Sequence, residues 1–280
     1  AVVPCDNLPA NGRVVARAVE ELAAAVGTAR MRGAAGHASY VTTMVDRITP
    51  YATPEDTAAV AAATGWADAA PVVTEPYSEW VLSGEFPAGR PDWGHAGAQF
   101  VADATGYEER KLWLLNGGHS LLAYAGSARG HDTVAAAAAD PVCRRWLGQW
   151  WDEASRHLDF PAPESDAYRA ALLDRFDNPR IRHTLAKIAE DGSQKLPVRI
   201  MPTLRAERKN GNLPSGAVLV VAAWLRHLRG AGVPVRDTYA PVLPGSLRDA
   251  AAAVVAYLDP VLVQDTALVD AVTAAAWELL

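Results

Sequence analysis

A mainly α-helical fold with a few strands near its start is what the sequence predicts, on three observations. From about Gln99 to the C-terminus, apolar residues recur at helical spacing in one segment after another. The two stretches rich in β-branched and aromatic residues, Ser39 to Ile48 and Glu79 to Phe86, both precede that region. No G-x-G-x-x-G follows a strand and no G-x-x-x-x-G-K-[ST] occurs, so the sequence offers no phosphate-binding loop of a parallel-sheet nucleotide fold.

Taken in order, Ala1 to Asn7 reads as a short strand entering a loop, without an initiator Met or a signal peptide. The chain is expected to start near the end of a preceding domain. Asn11-Gly12 is a turn, and Val14, Val15, Ala18, Val19, Leu22, Ala25 and Val26 then mark one face of a helix. Thr49-Pro50 closes the first strand. Thr53-Pro54-Glu55-Asp56 is a helix start, with Thr53 as N-cap, Pro54 in the first turn and two acids beside the positive end of the helix dipole. The second strand runs into a loop carrying Pro87, Gly89, Arg90 and Pro91. Further helices are expected over Asp132 to Ala139, Pro141 to Leu158, Ser165 to Phe176, Pro179 to Ala189, Ala217 to Leu228, Leu247 to Leu258, and from Thr266 onward. Asp191-Gly192-Ser193 reads as a turn that leaves Leu196 to Arg199 extended around Pro197.

With 280 residues, half of them hydrophobic, the chain can bury a substantial core and does not read as disordered. A net charge of -6 gives no basic footprint for nucleic acid. No apolar run approaches the roughly 18 residues of a membrane span. Cys5 and Cys143 are too few for a disulfide framework or a cysteine-built metal site, which fits a reducing, cytoplasmic setting. The seven histidines are scattered without H-E-x-x-H or other ligand spacing, so a metal-dependent hydrolase has no motif behind it and no metal is expected.

Chemistry concentrates in Tyr107 to Ser120. Drawn as an α-helix at about 100° per residue with Lys111 at zero, Glu108 falls near about 60°, His119 near about 80° and Asn116 near about 140°. One arc then holds a carboxylate, an amine, an amide and an imidazole. Leu112, Trp113, Leu114 and Leu115 would dry the surroundings, and a desolvated amine has its pKa drawn towards neutrality, where it serves as an acid/base. Only four of the 26 basic residues are lysines, and a chain that uses arginine by default keeps lysine where a removable proton is needed. The plainer reading is a surface Lys111 paired with Glu108 on an ordinary amphipathic helix.

Four blocks shift that balance. Cys5-Asp6-Asn7-Leu8-Pro9-Ala10-Asn11-Gly12, Met44-Val45-Asp46-Arg47-Ile48-Thr49-Pro50, Lys111-x4-Asn116-x2-His119 and Asp191-Gly192-Ser193-Gln194-Lys195-Leu196-Pro197 resemble, in order and spacing, the long-chain mannitol dehydrogenase family. That family includes mannitol 2-dehydrogenase and fructuronate reductase (D-mannonate oxidoreductase). Glu75-Pro76, Ala88 to Trp93 and Ala96 to Gln99 extend the likeness over essentially the whole chain.

The resemblance implies a helical C-terminal catalytic domain, of the 6-phosphogluconate dehydrogenase C-terminal type, over residues 11–280. Residues 1–10 would be the end of an otherwise absent N-terminal Rossmann domain that binds NAD(H) or NADP(H). It implies Lys111 as general acid/base, Asn7 and Asn116 as amides holding the reacting oxygen, and His119 as a substrate-side imidazole. Glu108 would be the acid that links the lysine to solvent, with Asp46 and Lys195 as substrate-binding residues. Lys187 stands where relatives can carry arginine, and His183 is a neighbour without a role; for both, a surface position is the plain alternative. The implied reaction interconverts a secondary alcohol and a ketone on a linear sugar acid or polyol. The wording of the first and last blocks favours fructuronate/mannonate, with mannitol/fructose next. A helical binding or interaction module that keeps the fold without the chemistry is the competing class.

Overall fold

The structure, a computed structural model, describes residues 1–279 and divides into two compact units, Ala1–Glu109 and Arg110–Leu280. In the first unit the opening residues find a partner: Val2 N–H donates to the Ser39 carbonyl at 2.7 Å, and Val41 N–H to the Val2 carbonyl at 2.9 Å. This is a single parallel bridge, Val2 to Tyr40, where the sequence predicts a strand. Helix α1 (Asn11–Val26) begins on the residue pair expected to form a turn, because Ala10 takes the left-handed conformation (φ 49°) and turns the chain there instead. Helix α2 (Ala29–His37) has no counterpart in the sequence reading: it lacks an apolar stripe and contains two glycines, and its local signal is Thr28, whose hydroxyl accepts from Met31 N–H at 3.2 Å.

Strand β1 (Thr42–Asp46) is followed by α3 (Pro54–Thr64), β2 (Glu79–Ser83), β3 (Gln99–Phe100) and α4 (Thr105–Arg110). The sheet has the order β1-β2-β3. β1 runs antiparallel to β2 with Thr42 opposite Ser83 and Asp46 opposite Glu79, while β2 and β3 run parallel. Its inner face is small: Met44, Val81 and Ala104 are buried together, with Val101 and Tyr107 against them. α3 carries the predicted reciprocal cap, Thr53 and Asp56 each accepting from the other's backbone N–H.

Among the described residues the regular elements of the second unit are helices, with one isolated antiparallel bridge between Thr133 and Thr184. After the run from Lys111 come α6 (Val134–Ala139, numbered after α5 described below), α7 (Pro141–Ser155), α8 (Ala162–Phe176), α9 (Leu185–Ala189), α10 (Gly192–Arg199), α11 (Met201–Lys209), α12 (Ser215–Leu228), α13 (Leu247–Leu258) and α14 (Thr266–Glu278). Most match their predicted ranges within a few residues. α12 is the centre of this unit, buried without interruption from Gly216 to Leu225 and packed by α7, α13 and α14. It crosses α7 so closely that a Cβ on Gly216 would lie 2.7 Å from the Trp150 backbone. The Glu153 carboxylate of α7 caps α12 from outside, accepting from Gly216 N–H (2.7 Å) and Ala217 N–H (2.8 Å).

Two expectations fail here. Pro179 to Thr184 is irregular, so only Leu185–Ala189 of that predicted helix forms. Leu196 to Arg199 is helical rather than extended, because Asp191 at φ 54° starts α10 early enough for Pro197 to sit inside it. The missing N–H of one proline removes one bond, and α10 ends two residues after it. Among the described residues no helix is long and apolar enough to cross a membrane.

Candidate active site

The stretch from Lys111 is not the α-helix its sequence predicts. Lys111–Gly117 is a π-helix, followed by α5 (Gly118–Leu121) and a second π segment (Leu122–Gly126). Two indoles of α7 help hold the first one. Trp150 Nε1–H donates to the Trp113 carbonyl and Trp151 Nε1–H to the Leu114 carbonyl, each at 2.9 Å, giving those carbonyls partners from outside their own helix. α7 reaches them because Gly117 and Gly118 carry no side chain: a Cβ there would stand 2.8 Å from the Trp150 ring and 2.9 Å from Leu147.

The geometric consequence is large. The wider turn brings Asn116 round closer to Lys111 than the about 140° separation an α-helix would give. The sequence reading placed these residues on an α-helix and missed the wide turn that carries them.

His119, on α5, is buried (4% exposed), and its Nε2 has no hydrogen-bond partner. Its ring lies 4.7 Å from Phe176 and, edge-on, 4.9 Å from the His183 ring. Burial pushes its pKa well below the usual 6.5, and the neighbouring basic side chains, His183, Arg199, Arg175 and Lys111, act in the same direction. It is a neutral imidazole at neutral pH. His183 is no surface residue: burial, with Lys195 adding to it, brings its pKa to about 4, and its Nδ1 is buried without a partner.

α10 brings two cations to the same region. Lys195 Nζ donates to the backbone carbonyls of Glu190 and, at 3.2 Å, of Ile188. Burial lowers its pKa to about 8, Arg199 acting in the same sense. Arg199, four residues on and therefore on the same helix face, donates through Nη1 to Ser120 Oγ (3.2 Å) and to the Asn116 backbone carbonyl (3.4 Å). Burial pulls its guanidinium down to about 10, still charged at neutral pH. Arg199, Ser120 and Arg175 carry no motif of their own; the i, i+4 repeat of Lys195 and Arg199 is the one signal that points to them. Lys187, by contrast, is exposed on α9 and ion-paired with Glu190 at 2.5 Å.

The remaining candidates lie in the first unit. Asn7 is exposed, on a loop fastened by Asn11, whose amide donates to the Pro4 and Asp6 carbonyls at 3.4 and 3.3 Å and to Thr43 Oγ1 at 3.2 Å. Asp46 is buried at the end of β1, while its neighbour Arg47 turns away to the Glu75 carbonyl at 3.0 Å. Glu108 accepts from Ala10 N–H at 3.2 and 3.3 Å. It borders a polar cleft of about 370 Å³ with Arg13, Thr42, Ser83, Asp103 and Thr105. Burial raises its pKa, against the opposing Ala10 N–H.

One trio of metal-ligand types converges among the described residues, His131, Asp140 and Cys143. Its chemistry is that of a helix cap: Asp140 accepts from Val142 N–H at the start of α7, and its other oxygen from Arg129 (2.7 Å) and His131 (2.9 Å). The Cys143 thiol is pushed up to about 11 by burial, with Asp140 adding to it, far from the thiolate a metal needs.

Comparison with known proteins bears on both units. The mannitol dehydrogenase C-terminal domain matches residues 103–279 and the mannitol dehydrogenase Rossmann domain matches residues 1–95. The likeness is therefore not confined to the C-terminal domain, which corrects the expectation that only residues 1–10 belong with the Rossmann domain. D-mannonate oxidoreductase of Escherichia coli is 39% identical over 82% of this chain and 48% of its own. Mannitol 2-dehydrogenase of Aspergillus terreus is 36% identical over 82% of this chain and 47% of its own. Pseudomonas fluorescens mannitol 2-dehydrogenase, solved as a ternary complex with NAD and D-mannitol, superposes with a TM-score of 0.82 at 31% identity, covering 99% of this chain and 59% of that one. The chain spans about half the length of the curated relatives it matches. With one family domain over its first third and another over the greater part of the remainder, this chain belongs to the mannitol dehydrogenase family.

Proposed function

We propose that this chain carries the substrate-side machinery of an NAD-dependent oxidoreductase that interconverts a secondary alcohol and a ketone on a linear sugar acid or polyol. The observation that carries the reading is the π-turn, whose one wide turn carries both Lys111 and Asn116 and runs directly into α5 with the neutral, buried His119, whose Nε2 has no hydrogen-bond partner. A ketone carbon that gains hydride leaves an alkoxide that needs a proton, and in the other direction the hydroxyl must lose one. Lys111 is the group that gives and takes that proton. The Asn116 amide, with that of Asn7, donates to the oxygen on which charge develops. His119 bonds a neighbouring hydroxyl, and Asp46, Lys195 and Lys187 are the further substrate contacts. Glu108, its pKa raised on a polar cleft, is suited to passing the proton to solvent.

NAD(H) supplies or accepts the hydride when bound; the Rossmann-domain match and the Pseudomonas complex with NAD support it. The donor set around Lys111 fits the substrate side of such a reaction, and among the described residues no glycine-rich turn is assigned to the cofactor's phosphates. D-mannonate/D-fructuronate is the first choice of substrate, supported by the E. coli D-mannonate oxidoreductase, and mannitol/fructose the second. The test is Lys111→Ala in the full-length protein, assayed with NADH and fructuronate and with NAD and mannonate. Turnover should fall by about 10²–10⁴ with the circular dichroism unchanged. Near-normal turnover in that variant would reject Lys111 as the acid/base.

A further inference from the structure

We infer that Arg199, seconded by Lys195, receives a carboxylate of the substrate and makes this site select a sugar acid over the neutral polyol of the same carbon skeleton. The inference rests on the dehydrogenase reading above and deepens it.

Lys195 and Arg199 are four residues apart on one face of α10, a placement in which like charges repel. Neither has a counter-ion. Among the described residues Arg199 donates only to neutral oxygens, Ser120 Oγ and the Asn116 carbonyl, and Lys195 only to the carbonyls of Ile188 and Glu190. The neighbouring acids are engaged elsewhere. The Glu190 carboxylate takes Lys187 (2.5 Å) and Arg236 (3.5 Å), and Asp237 caps α10 through Ser193 N–H (2.7 Å) and the Ser193 hydroxyl. Asp191, at the start of α10, and Glu190 act on Lys195 through space without an ion pair to it, while among the described residues no carboxylate acts on Arg199. His119 and His183 are neutral, Lys111 and Arg175 are positive, and the Tyr124 hydroxyl, its pKa raised by burial, donates to the Ala189 carbonyl at 3.2 Å.

A cation taken out of water without a partner is unfavourable, and two side by side are more so. The apolar packing of α10 comes from Leu196, and the oxygens that Lys195 and Arg199 hold are neutral, so their charges are not balanced by an ion pair. Such a pair is retained where a ligand brings the missing charge. The carboxylate geometry follows from the guanidinium, whose fork binds two oxygens at once. Because Arg199 also holds the Asn116 carbonyl and the Ser120 hydroxyl, a carboxylate bound there is tied to the same helical run that carries Lys111 and Asn116.

The experiment compares kcat/KM of the full-length protein for D-mannonate against D-mannitol with NAD, and for D-fructuronate against D-fructose with NADH. The acid should be preferred at least a hundredfold, and its KM should rise with ionic strength while that of the polyol stays flat. In Arg199→Gln the acid-to-polyol ratio should fall at least tenfold, mainly through KM, and Arg199→Lys should recover part of it. A wild-type preference for the polyol, or a ratio that Arg199→Gln leaves in place, would overturn the inference while the dehydrogenase reading stands. If neither acid nor polyol is turned over, the dehydrogenase reading fails. Calorimetry with mannonate alone then decides the anion site: salt-sensitive binding weakened in Arg199→Lys keeps it, and equal binding of mannonate and mannitol removes it.

Discussion

The two units hold their candidate residues by different means. In the second unit, Lys111, Asn116 and His119 ride on a helical run whose far side is wedged against Leu147, Trp150, Trp151 and Phe176, all buried. In the first unit the buried apolar cluster of the sheet is three residues, and the loop carrying Asn7 is fastened by one buried amide, that of Asn11. Position is a matter of volume in one unit and of a few directed bonds in the other. The first kind should respond to changes of size, the second to the loss of single polar atoms.

The largest effect is expected at Trp150. Its indole is fully buried, fills the space that Gly117 leaves open, and supplies the N–H that holds the Trp113 carbonyl. Trp150→Ala should lower the unfolding free energy by about 3–5 kcal/mol in a denaturant titration. Trp150→Phe keeps most of the volume and loses the N–H, for about 1–2 kcal/mol. If the phenylalanine variant proved as damaging as the alanine one, the single bond and not the packing would be holding the π-turn, and the contrast between the units would collapse.

Titration sharpens the same contrast. His183 has its folded pKa lowered from 6.5 to about 4 by burial. Between those values the unfolded chain binds a proton that the folded chain refuses. Stability is therefore intact above about pH 6.5 and drains away as pH falls through this window, by about 3 kcal/mol at its lower end. His119 acts in the same direction. Measured at pH 7 and at pH 4.5, the loss should shrink by about 2–3 kcal/mol in His183→Gln; an unchanged loss would mean that His183 is not the neutral, buried ring described.

What the sequence made legible follows the same division. Local chemistry was readable: Thr53 and Asp56 announce the start of α3, and the spacing of Lys111, Asn116 and His119 marks the helical run that carries the proposed acid, amide and imidazole. The π-turn was not, because it depends on two indoles 37 residues away in sequence and on two glycines whose reason lies in that packing. Arg199 was hidden for a related reason. An arginine in a charged sequence reads as solvated, and only its burial and the commitments of Glu190 and Asp237 elsewhere reveal a cation without a partner. α10 itself was obscured by Pro197, a residue that normally argues against helix, and was rescued by the left-handed Asp191.

The smallest of these effects, and the most local, belongs to Asn11. Its side chain is wholly buried and uses both ends: the oxygen accepts from Thr43 N–H at 2.8 Å, and the nitrogen serves the Pro4 and Asp6 carbonyls and Thr43 Oγ1. Asn11→Ala strands the Thr43 N–H inside the unit and frees the loop from Pro4 to Asn7, at a cost of about 2 kcal/mol. Asn11→Asp keeps the acceptor for Thr43 and loses the donors, so it should restore the Thr43 amide while leaving the loop loose. Hydrogen exchange separates these outcomes. In the alanine variant both Thr43 and residues 5–8 should exchange faster, in the aspartate variant residues 5–8 alone, and amides of the Trp113 to Leu115 turn should keep their wild-type protection in both. If the π-turn amides lost protection together with the Asn7 loop, the directed-bond account of the first unit would be wrong, because a single amide would then be supporting far more of the molecule than the residues it touches.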